Sequence, residues 1–554
     1  MENSKSSITK SPGVKAFLAS VTNRMIHFIK RHRVGAMAFY LGILPLLSVL
    51  LVCALDGHAP WDVSILASEL NDELFYYKQV EGVLHGGFPY GYFGYNESHA
   101  TLLSFATWNP FILLPWILFG LVFGWHLYSP IVANIFFMCL AMIAYGLLAK
   151  PTKKQAGILS LLFILFRPIA RFMLSAMPEI VCMSLLIVFY GFYCHDKKAE
   201  LGVKAKPKTN RDLVMMFIFS CLLTLMRPYF ALFILLPCIR WIRQKRLQGC
   251  VGSLVVLLMV FAMYFLVQKT LTAAYFLPIY DAPWLQVFKD EGVFQGFYNV
   301  LLTTYYQGKA YLSIIVAEFF SKSYVGAYFC AFAATMLILM IYTISCIRNK
   351  RRGEFLFNLY LLGCFLSMLF AIFLMYPKIQ ESSKHLLMFT AIGVFVISNM
   401  KTRFYAKTLF VGVVFAFFFF YRVNDFYEFK IPYLDDATRD RQKVWEEIFE
   451  DRLELTTNQV PSYQNVVIWA FEAQTPEGRK QLDWQILYAL PQGFGISCCM
   501  YEYLDTQKSD LQSRYIAVYA NSTLDEFYQQ AGYEEIGRIG DSVVYDRLYA
   551  SISK

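Results

Sequence analysis

Long apolar runs, separated by short clusters of basic residues, recur along this chain of 554 residues. Runs such as 37–55, 128–149 and 355–376 approach or exceed the roughly 18 apolar residues that suggest a membrane-spanning helix. Only 16% of the residues are charged, whereas an ordinary soluble domain carries about 25%. The sequence therefore predicts a polytopic integral membrane protein.

The basic clusters indicate which side of the membrane each loop faces, because Lys and Arg are enriched in cytoplasmic loops. Placing all of them in the cytoplasm requires a cytoplasmic N-terminus and two crossings, or none, between successive clusters. The net charge of +10 arises largely from these loops, so we do not expect nucleic acid as a partner. The six clusters are 30–33, 150–154, 197–211, 240–246, 348–352 and 401–407.

This constraint predicts eleven membrane-spanning helices and an extracytoplasmic C-terminus. Residues 111–124 are apolar but short and flanked by proline, and a crossing there would put Lys150 and its neighbours outside. We therefore predict a helix at the membrane surface for 111–124. The predicted spans are 37–55, 128–149, one on each side of 167–179, one on each side of Arg227-Pro228, then 250–268, 326–347, 355–376, 386–400 and 406–421.

From about residue 422 onward, charges of both signs become frequent. Residues 437–455 have an amphipathic helical pattern, and Thr523-Leu-Asp-Glu526 fits a helix-capping box. We predict a soluble extracytoplasmic α/β domain over 422–554, attached to an all-α polytopic membrane domain over 1–421. The twelve cysteines lie mostly in or beside apolar runs and suggest neither a disulfide framework nor a metal site. Short strands are predicted at 466–470, 514–519 and 542–546.

The first predicted outside loop, 56–110, holds the residues most suited to chemistry. The pair Asp72-Glu73, followed by Tyr76, Tyr77 and Lys78, comes soon after the first span. One carboxylate of such a pair can take a proton from an acceptor hydroxyl, while the other orients a group or binds a metal. Acidic pairs are also common in solvated loops and in the first turn of helices. The spacing alone therefore leaves a structural role open.

Other charged residues lie at the predicted outer ends of later spans. Together they offer a further carboxylate and several cations, an arrangement that can hold a phosphate leaving group and activate a hydroxyl. Each also has a structural alternative, because a carboxylate suits a helix N-terminus and long cations snorkel at the interface. These residues are Arg171, Glu179, Arg227, Lys384 and His385.

The order of these features resembles the GT-C membrane glycosyltransferases, in particular the protein O-mannosyltransferase and lipid A aminoarabinose transferase type. The resemblance covers about 37–400 and rests on Asp72-Glu73 after the first span and on the surface helix before the second. Trp108-Asn-Pro110 stands where many members have His-Pro-Pro. Glu179 stands where some members have a second acid, and Lys384-His385 stands where many have Arg-Tyr.

The resemblance implies glycosyl transfer on the extracytoplasmic face of the cell membrane. The donor would be a polyprenyl-phosphate sugar among the membrane lipids, and the acceptor would be a glycan, lipid or protein. Asp72 would be the base toward an acceptor hydroxyl, and the phosphate would leave with inversion at the anomeric carbon. The resemblance leaves open a divalent metal, Mg²⁺ or Mn²⁺. The further candidates are Glu73 and Glu179 for catalysis, and Tyr76, Tyr77, Lys78, Arg171, Arg227, Lys384 and His385 for substrate binding.

Two other functions are compatible with a polytopic membrane protein. One is a transporter or flippase of lipid-linked sugars, and the other is a non-catalytic assembly protein of the cell envelope. Transporters tend to place ionisable residues near the bilayer midplane on broken helices, often within inverted repeats. This chain keeps its charges at the ends of the apolar runs and shows no internal repeat, which favours the glycosyltransferase.

Overall fold

The computed structural model describes residues 33–97, 110–200, 211–244, 247–271, 283–321, 324–375, 383–400, 412, 430–452 and 462–550. Within these ranges the chain forms a bundle of helices joined to a mixed β-sheet. Several predicted features lie outside the described residues. They are the cluster 30–33 except Arg33, Trp108 and Asn109, the cluster 401–407, and the last span 406–421 except Gly412.

The described helices of the membrane part include one at each predicted span up to 386–400, and further helices lie between these spans, such as Val293–Ser321 between 250–268 and 326–347. A 3-10 helix at Pro228–Ile234 leads directly into one of them. The helices are α1 (Arg33–Asp56), α2 (Asn71–Gly86), α3 (Leu114–Phe123), α4 (Ser129–Ala149), α5 (Lys153–Leu165), α6 (Arg167–Met173), α7 (Glu179–Glu200), α8 (Arg211–Met226), α9 (Leu235–Arg243), α10 (Leu247–Leu271), α11 (Pro283–Asp290), α12 (Val293–Ser321), α13 (Tyr324–Arg348), α14 (Arg352–Met375) and α15 (Ser383–Ser398).

Among the described residues, α1, α4, α7, α10, α13 and α14 are the six helices long and apolar enough to cross a membrane, or seven if the bent pair α5 and α6 is one span. The 24 residues of α1 extend about 36 Å, which exceeds the roughly 30 Å of a bilayer core. The helices α8, α9 and α15 occupy three more predicted spans but are shorter. The prediction of a multi-pass membrane domain is confirmed.

The segment 111–124 contains a short helix, α3. Its 10 residues extend about 15 Å, which is too short to cross a bilayer and agrees with the predicted surface helix. Gly124, with a φ of 79°, follows its last residue in the manner of a helix-ending glycine. On α3, Leu121 and Val122 are exposed, whereas Trp116 is fully buried. The helix therefore presents an apolar outer face and packs its inner face on the bundle.

Small residues let the first two membrane helices pack closely. A Cβ atom placed on Gly146 of α4 would lie 2.6 Å from the Cα of Ala38 in α1, a separation that real side chains do not reach. Gly146 therefore permits the close backbone approach that small residues provide in membrane helix pairs. Behind this contact, α4 packs on α7 and α7 packs on α8. These helices form the centre of the membrane domain.

Ion pairs between helices gather at two opposite ends of the bundle. One group lies beside α2, at the ends of α1, α6, α7, α8 and α15, and includes Arg167 with Asp56 at 2.5 Å. The other group ties the far ends of α7, α8, α9 and α14, next to the basic clusters. It comprises His195 with Asp212 at 2.7 Å, Arg240 with Asp196, and Lys197 with Glu354 at 3.7 Å.

The C-terminal part holds helices α16 (Asp436–Ile448), α17 (Tyr501–Gln507) and α18 (Thr523–Gln530). The three predicted strands are present, and the N-cap of α18 is Ser522, one residue before the predicted capping box. In the described part, six strands form one sheet in the order β1-β5-β2-β6-β8-β7, and two form a hairpin. The strands are β1 (Phe93–Tyr95), β2 (Val466–Ala470), β3 (Glu472–Thr475), β4 (Gly478–Gln481), β5 (Gly495–Cys499), β6 (Tyr515–Tyr519), β7 (Tyr533–Ile539) and β8 (Ser542–Ala550).

The first strand of this sheet comes from the stretch between α2 and α3, which the sequence predicts to be an outside loop, and not from the C-terminal part. β1 pairs in parallel with β5. Just beyond β1, the buried carboxylate of Glu97 accepts hydrogen bonds from the backbone N–H groups of Gln512, at 2.9 Å, and Ser513, at 2.6 Å. At the start of α2, the Tyr488 hydroxyl donates to the Leu70 carbonyl and accepts from the Leu74 N–H at 2.9 Å. The sheet of the C-terminal part therefore includes a strand from the stretch of chain before the predicted boundary at 422.

Candidate active site

Asp72 and Glu73 lie in the first turn of α2, where the helix N-terminus favours carboxylates. Successive residues of an α-helix point about 100° apart, because one turn takes 3.6 residues. The two neighbouring acids therefore face different surroundings. The sequence predicts that the two carboxylates act together at one site, and the structure separates them.

Glu73 is a buried residue of the helix packing. One carboxylate oxygen accepts a hydrogen bond from the Arg171 guanidinium at 3.0 Å, and the other accepts from the Ala176 N–H at 2.8 Å. Arg171, on α6, is itself buried. Both oxygens of Glu73 are thus engaged in fastening α2 to the membrane bundle.

Asp72 lies on a more accessible side of α2. Its Oδ2 accepts a hydrogen bond from the ammonium group of Lys384, at the start of α15. The side chain of Asp72 is 22% exposed and that of Lys384 is 13% exposed, so solvent reaches both. The pair is the accessible counterpart of the buried pair formed by Glu73 and Arg171.

Glu179 and Arg227 form a third pair, with a nitrogen–oxygen distance of 2.5 Å. Glu179 opens α7, and Arg227 directly follows α8. Arg227 has an extended backbone, as expected for a residue before proline, and this break ends α8. Both side chains are buried.

A buried amide that the sequence analysis missed holds the turn before Glu179. The Nδ2 of Asn134 donates to the carbonyls of Ser175, at 2.9 Å, and Met177, at 3.2 Å. Its Oδ1 accepts from the indole N–H of Trp116 on the surface helix α3. A signal was available, because a polar residue inside an apolar run is expensive unless it has such partners.

Tyr76 lies one turn after Asp72 on α2. The charges of the pairs Asp72–Lys384 and Glu179–Arg227 affect the pKa of its hydroxyl. Burial raises the pKa of Tyr76 well above its ordinary value, Glu179 and Asp72 raise it further, and Arg227 and Lys384 oppose the rise. The Tyr76 hydroxyl therefore stays protonated in neutral solution. The pairs Asp72–Lys384 and Glu179–Arg227 both lie at the end of the bundle beside α2, because Glu73, next to Asp72, accepts a hydrogen bond from the Ala176 N–H three residues before Glu179.

His385, next to Lys384, is buried and belongs to the same region. Its Nδ1 lies 2.9 Å from the hydroxyl of Tyr229, which follows Arg227-Pro228 in the 3-10 helix. This contact ties the start of α15 to the segment after Arg227. It supports the position of Lys384 beside Asp72.

Tyr77 and Lys78 are not brought to these ion pairs. The Tyr77 hydroxyl accepts a hydrogen bond from Gln492 at 3.0 Å, and the ring lines a cavity of about 340 Å³ at the C-terminal part. The Lys78 ammonium donates to the Pro491 carbonyl at 3.1 Å and pairs with Glu81 at 3.2 Å. Burial lowers the pKa of Lys78, and Glu81 opposes this shift. Both side chains join α2 to the C-terminal part.

The donor set does not fit a divalent metal. Asp72, Glu73 and Glu179 are each paired with a Lys or Arg, so their oxygens face organic cations. Over the described ranges, no group of three or more His, Cys, Asp or Glu side chains is placed to hold a metal ion. We therefore derive no step through Mg²⁺ or Mn²⁺.

Comparison with solved structures identifies the class of fold, which is the polytopic GT-C fold of membrane glycosyltransferases. One similar structure is that of ArnT, an aminoarabinose transferase, from Cupriavidus metallidurans. Its structure bound to undecaprenyl phosphate has a TM-score of 0.51 at 11% identity, over 91% of this chain and 97% of that chain.

Two further structures are similar at lower scores. Apo ArnT from the same organism has a TM-score of 0.48 at 10% identity, over 91% of this chain and 97% of that chain. The Archaeoglobus fulgidus oligosaccharyltransferase, in complex with Zn and sulfate, has a TM-score of 0.44 at 12% identity, over 91% and 73%. No protein-family model and no curated protein matches this chain.

Proposed function

We propose that this protein is a membrane glycosyltransferase that moves a sugar from a polyprenyl-phosphate donor to a hydroxyl of a glycan, lipid or protein acceptor. One observation carries the proposal. Asp72 is a partly exposed carboxylate held by Lys384, and the buried pair of Glu179 and Arg227 lies at the same end of the bundle. The GT-C fold supports this function, and the similar ArnT structure is bound to undecaprenyl phosphate.

The reaction uses Asp72 as the general base. Asp72 accepts the proton of the acceptor hydroxyl, and the acceptor oxygen attacks the anomeric carbon from the side opposite the phosphate. The bond between that carbon and the phosphate oxygen breaks, the phosphate keeps the electron pair, and the configuration inverts. Placing base and nucleophile in one geometry and stabilising the leaving anion are the two effects that lower the barrier.

The cations stabilise the phosphate as it leaves. Lys384 moves from the Asp72 carboxylate to the phosphate, which frees Asp72 to meet the acceptor. Arg227 adds positive potential behind it, and the protonated Tyr76 hydroxyl can donate a hydrogen bond. Glu73 and Arg171 act through the position of α2 and make no contact with the reacting atoms.

The orientation in the membrane is part of the proposal. The end of the bundle that carries Asp72 faces outside, the N-terminus lies in the cytoplasm, and the C-terminus is extracytoplasmic. The support is the charge distribution, because the clusters 150–154 and 348–352, and the described residues 240–244, lie at the opposite end from α2. Cytoplasmic loops carry such an excess of Lys and Arg.

The test uses the full-length protein in lipid nanodiscs. A set of undecaprenyl-phosphate-linked pentoses and hexoses serves as donors, with membrane lipid and glycan fractions of the host as acceptors. We expect the protein to release undecaprenyl phosphate and label one fraction. Asp72→Asn should lower kcat by about 10²- to 10⁴-fold, the usual contribution of a general base.

A matched control comes from another Asp–Lys pair of the chain. Asp505 lies 3.0 Å from Lys508 in the C-terminal part, so Asp505→Asn also removes a carboxylate from a lysine. It should leave the turnover unchanged. Wild-type turnover by Asp72→Asn, or the absence of any donor cleavage by the unmodified protein, would refute the proposal.

A further inference from the structure

A polar cavity of about 640 Å³ lies between the outer end of α1 and the segment that leads into α16. Its volume is within the 300–1,000 Å³ range of small-molecule sites. Three stretches of chain and Gln485 form its walls, and the stretches are the residues around Asp56 and His58, the stretch that ends at Glu69, and residues 430–441. The chemical step described above uses none of these residues.

The walls are fixed by contacts between the first outside loop and the C-terminal part. The Asp56 carboxylate is held by Arg167 at 2.5 Å and by the Tyr433 hydroxyl at 2.8 Å. The His58 ring stacks on the Tyr433 ring with centroids 3.9 Å apart. Backbone hydrogen bonds join the same two stretches on either side of this stack, from Ser64 to Pro432 and from Leu434 to Asp62. The cavity is therefore preformed.

The charges along the cavity nearly cancel. Asp56, Glu69 and Asp435 contribute carboxylates, and Lys430 and Arg441 contribute cations. Each cation already has a carboxylate partner, because Lys430 pairs with Glu69 and Arg441 lies 3.9 Å from Asp483. Such walls offer no excess positive charge to a phosphate and little apolar surface to a lipid tail.

A neutral molecule rich in hydroxyl groups fits this lining best. Every sugar hydroxyl both donates and accepts, so it can bridge a carboxylate and a neighbouring cation, and bonds to charged groups are the stronger ones. The Gln485 amide adds a neutral donor and acceptor. The flat stack of His58 on Tyr433 offers an aromatic surface to the C–H face of a sugar ring.

The position of the cavity connects it with the proposed base. Glu69 borders the cavity and precedes Asp72 by three residues, a stretch of chain that spans at most about 11 Å. We propose that this cavity is the acceptor site and that the acceptor presents a carbohydrate to it. A sugar seated against the cavity wall then directs a hydroxyl toward Asp72. The acceptor role rests on the proposed function, whereas carbohydrate binding can be tested independently of it.

The test measures carbohydrate binding to the full-length protein in nanodiscs by saturation-transfer NMR. The probes are maltotriose, chitotriose and mannotriose, with inorganic phosphate as the anionic probe. We expect at least one trisaccharide to bind. Arg441→Gln and Gln485→Ala should each weaken its binding, and for Arg441→Gln the loss of charged hydrogen bonds predicts about tenfold or more.

The control variant lies on the same helix as Arg441. Arg439 is 54% exposed, pairs with Asp436 at 3.5 Å and does not line the cavity, so Arg439→Gln should bind the trisaccharide as the unmodified protein does. Thermal melting of each variant checks that the fold is intact. Failure of all three trisaccharides to bind, or unchanged binding by both cavity variants, would overturn the inference. Binding of phosphate that depends on Arg441 would overturn it as well.

Two further outcomes separate this inference from the proposed function. Asp72→Asn should lose transfer but still bind the trisaccharide. If the unmodified protein binds the trisaccharide and cleaves no donor, the proposed function fails while the carbohydrate site stands. If the unmodified protein transfers sugar and Arg441→Gln leaves the acceptor KM unchanged, the acceptor site fails while the proposed function stands.

Discussion

Replacing Glu73 by glutamine distinguishes a structural acid from a catalytic one. Glu73 is fully buried, and its partner Arg171 has a side chain only 2% exposed. Removing one member of a buried ion pair costs about 3–5 kcal/mol, because the remaining charge is left without compensation. Glutamine keeps an oxygen for the Ala176 N–H, so we expect the lower limit, about 3 kcal/mol. That is roughly a 150-fold change in the unfolding constant, since about 1.4 kcal/mol corresponds to a factor of ten.

The neighbouring substitution Asp72→Asn should show the opposite behaviour. Asp72 and Lys384 are both partly exposed, and exposed pairs contribute about 0–1 kcal/mol to stability. The Asp72 variant should therefore unfold like the unmodified protein but lose turnover. The Glu73 variant should unfold more easily and keep its turnover per folded molecule.

The assay combines chemical unfolding with donor turnover. The midpoint of denaturant unfolding of the full-length protein in detergent, followed by tryptophan fluorescence, reports stability. Release of undecaprenyl phosphate, measured where each variant is still folded, reports catalysis. A Glu73→Gln protein that is as stable as the unmodified one but inactive would show that Glu73 acts on the substrate, and the assignment of roles within α2 would be wrong.

Two more predictions concern the C-terminal part. Glu97→Ala removes the acceptor for the N–H groups of Gln512 and Ser513, and each buried group left unpaired should lower the stability of the fold by about 1–3 kcal/mol. Hydrogen exchange should therefore accelerate at the start of β6, and unchanged exchange there would contradict this role of Glu97. Hydrogen bonds from the Thr438 hydroxyl and N–H lower the pKa of Asp435 below its ordinary value of 3.8. Because the pKa of Asp435 is lower in the folded than in the unfolded protein, its stabilising effect is complete above pH 3.8. The effect is lost as the pH falls through the pKa of the folded state. Asp435→Ala should lower the free energy of unfolding by about 1 kcal/mol and make it depend less on pH in the acid range. An unchanged dependence on pH in that range would show that Asp435 does not stabilise the helix as its N-cap.

The helices were predictable because their signal is local. Apolar length and the position of basic clusters predict helices such as α1 and α4 without knowledge of tertiary contacts. The contribution of β1 to the C-terminal sheet was not predictable. It is a strand of three residues whose partner β5 lies some 400 residues later, and so short a strand has no periodicity to read. The close approach that brings it there depends on Gly82, where a Cβ would lie 2.4 Å from the Cα of Gly91.

The shared location of several candidate residues was predictable, but their pairing was not. The charge rule predicts that Asp72, Glu179, Arg227 and Lys384 lie at the same end of the bundle, and the structure places them there. The sequence does not show which carboxylate meets which cation, because partners such as Glu73 and Arg171 are about 100 residues apart. It also cannot show that Asp72 is accessible and Glu73 buried, since neighbouring acids differ only in the direction they face.

The pairing indicates how the phosphate of the proposed donor would enter this site. Among the described residues, four ion pairs join the ends of different helices at this end of the bundle, so a phosphate that enters between these helices must displace a carboxylate from its cation. Displacement from Arg171 or Arg227 would leave a buried Glu without compensation, at a cost of several kcal/mol. Displacement from Lys384 leaves Asp72 facing water and the acceptor hydroxyl. The least costly exchange is therefore the one that frees the proposed base, and donor binding would itself prepare Asp72 to take the proton. The pairs are Asp56–Arg167, Glu73–Arg171, Glu179–Arg227 and Asp72–Lys384.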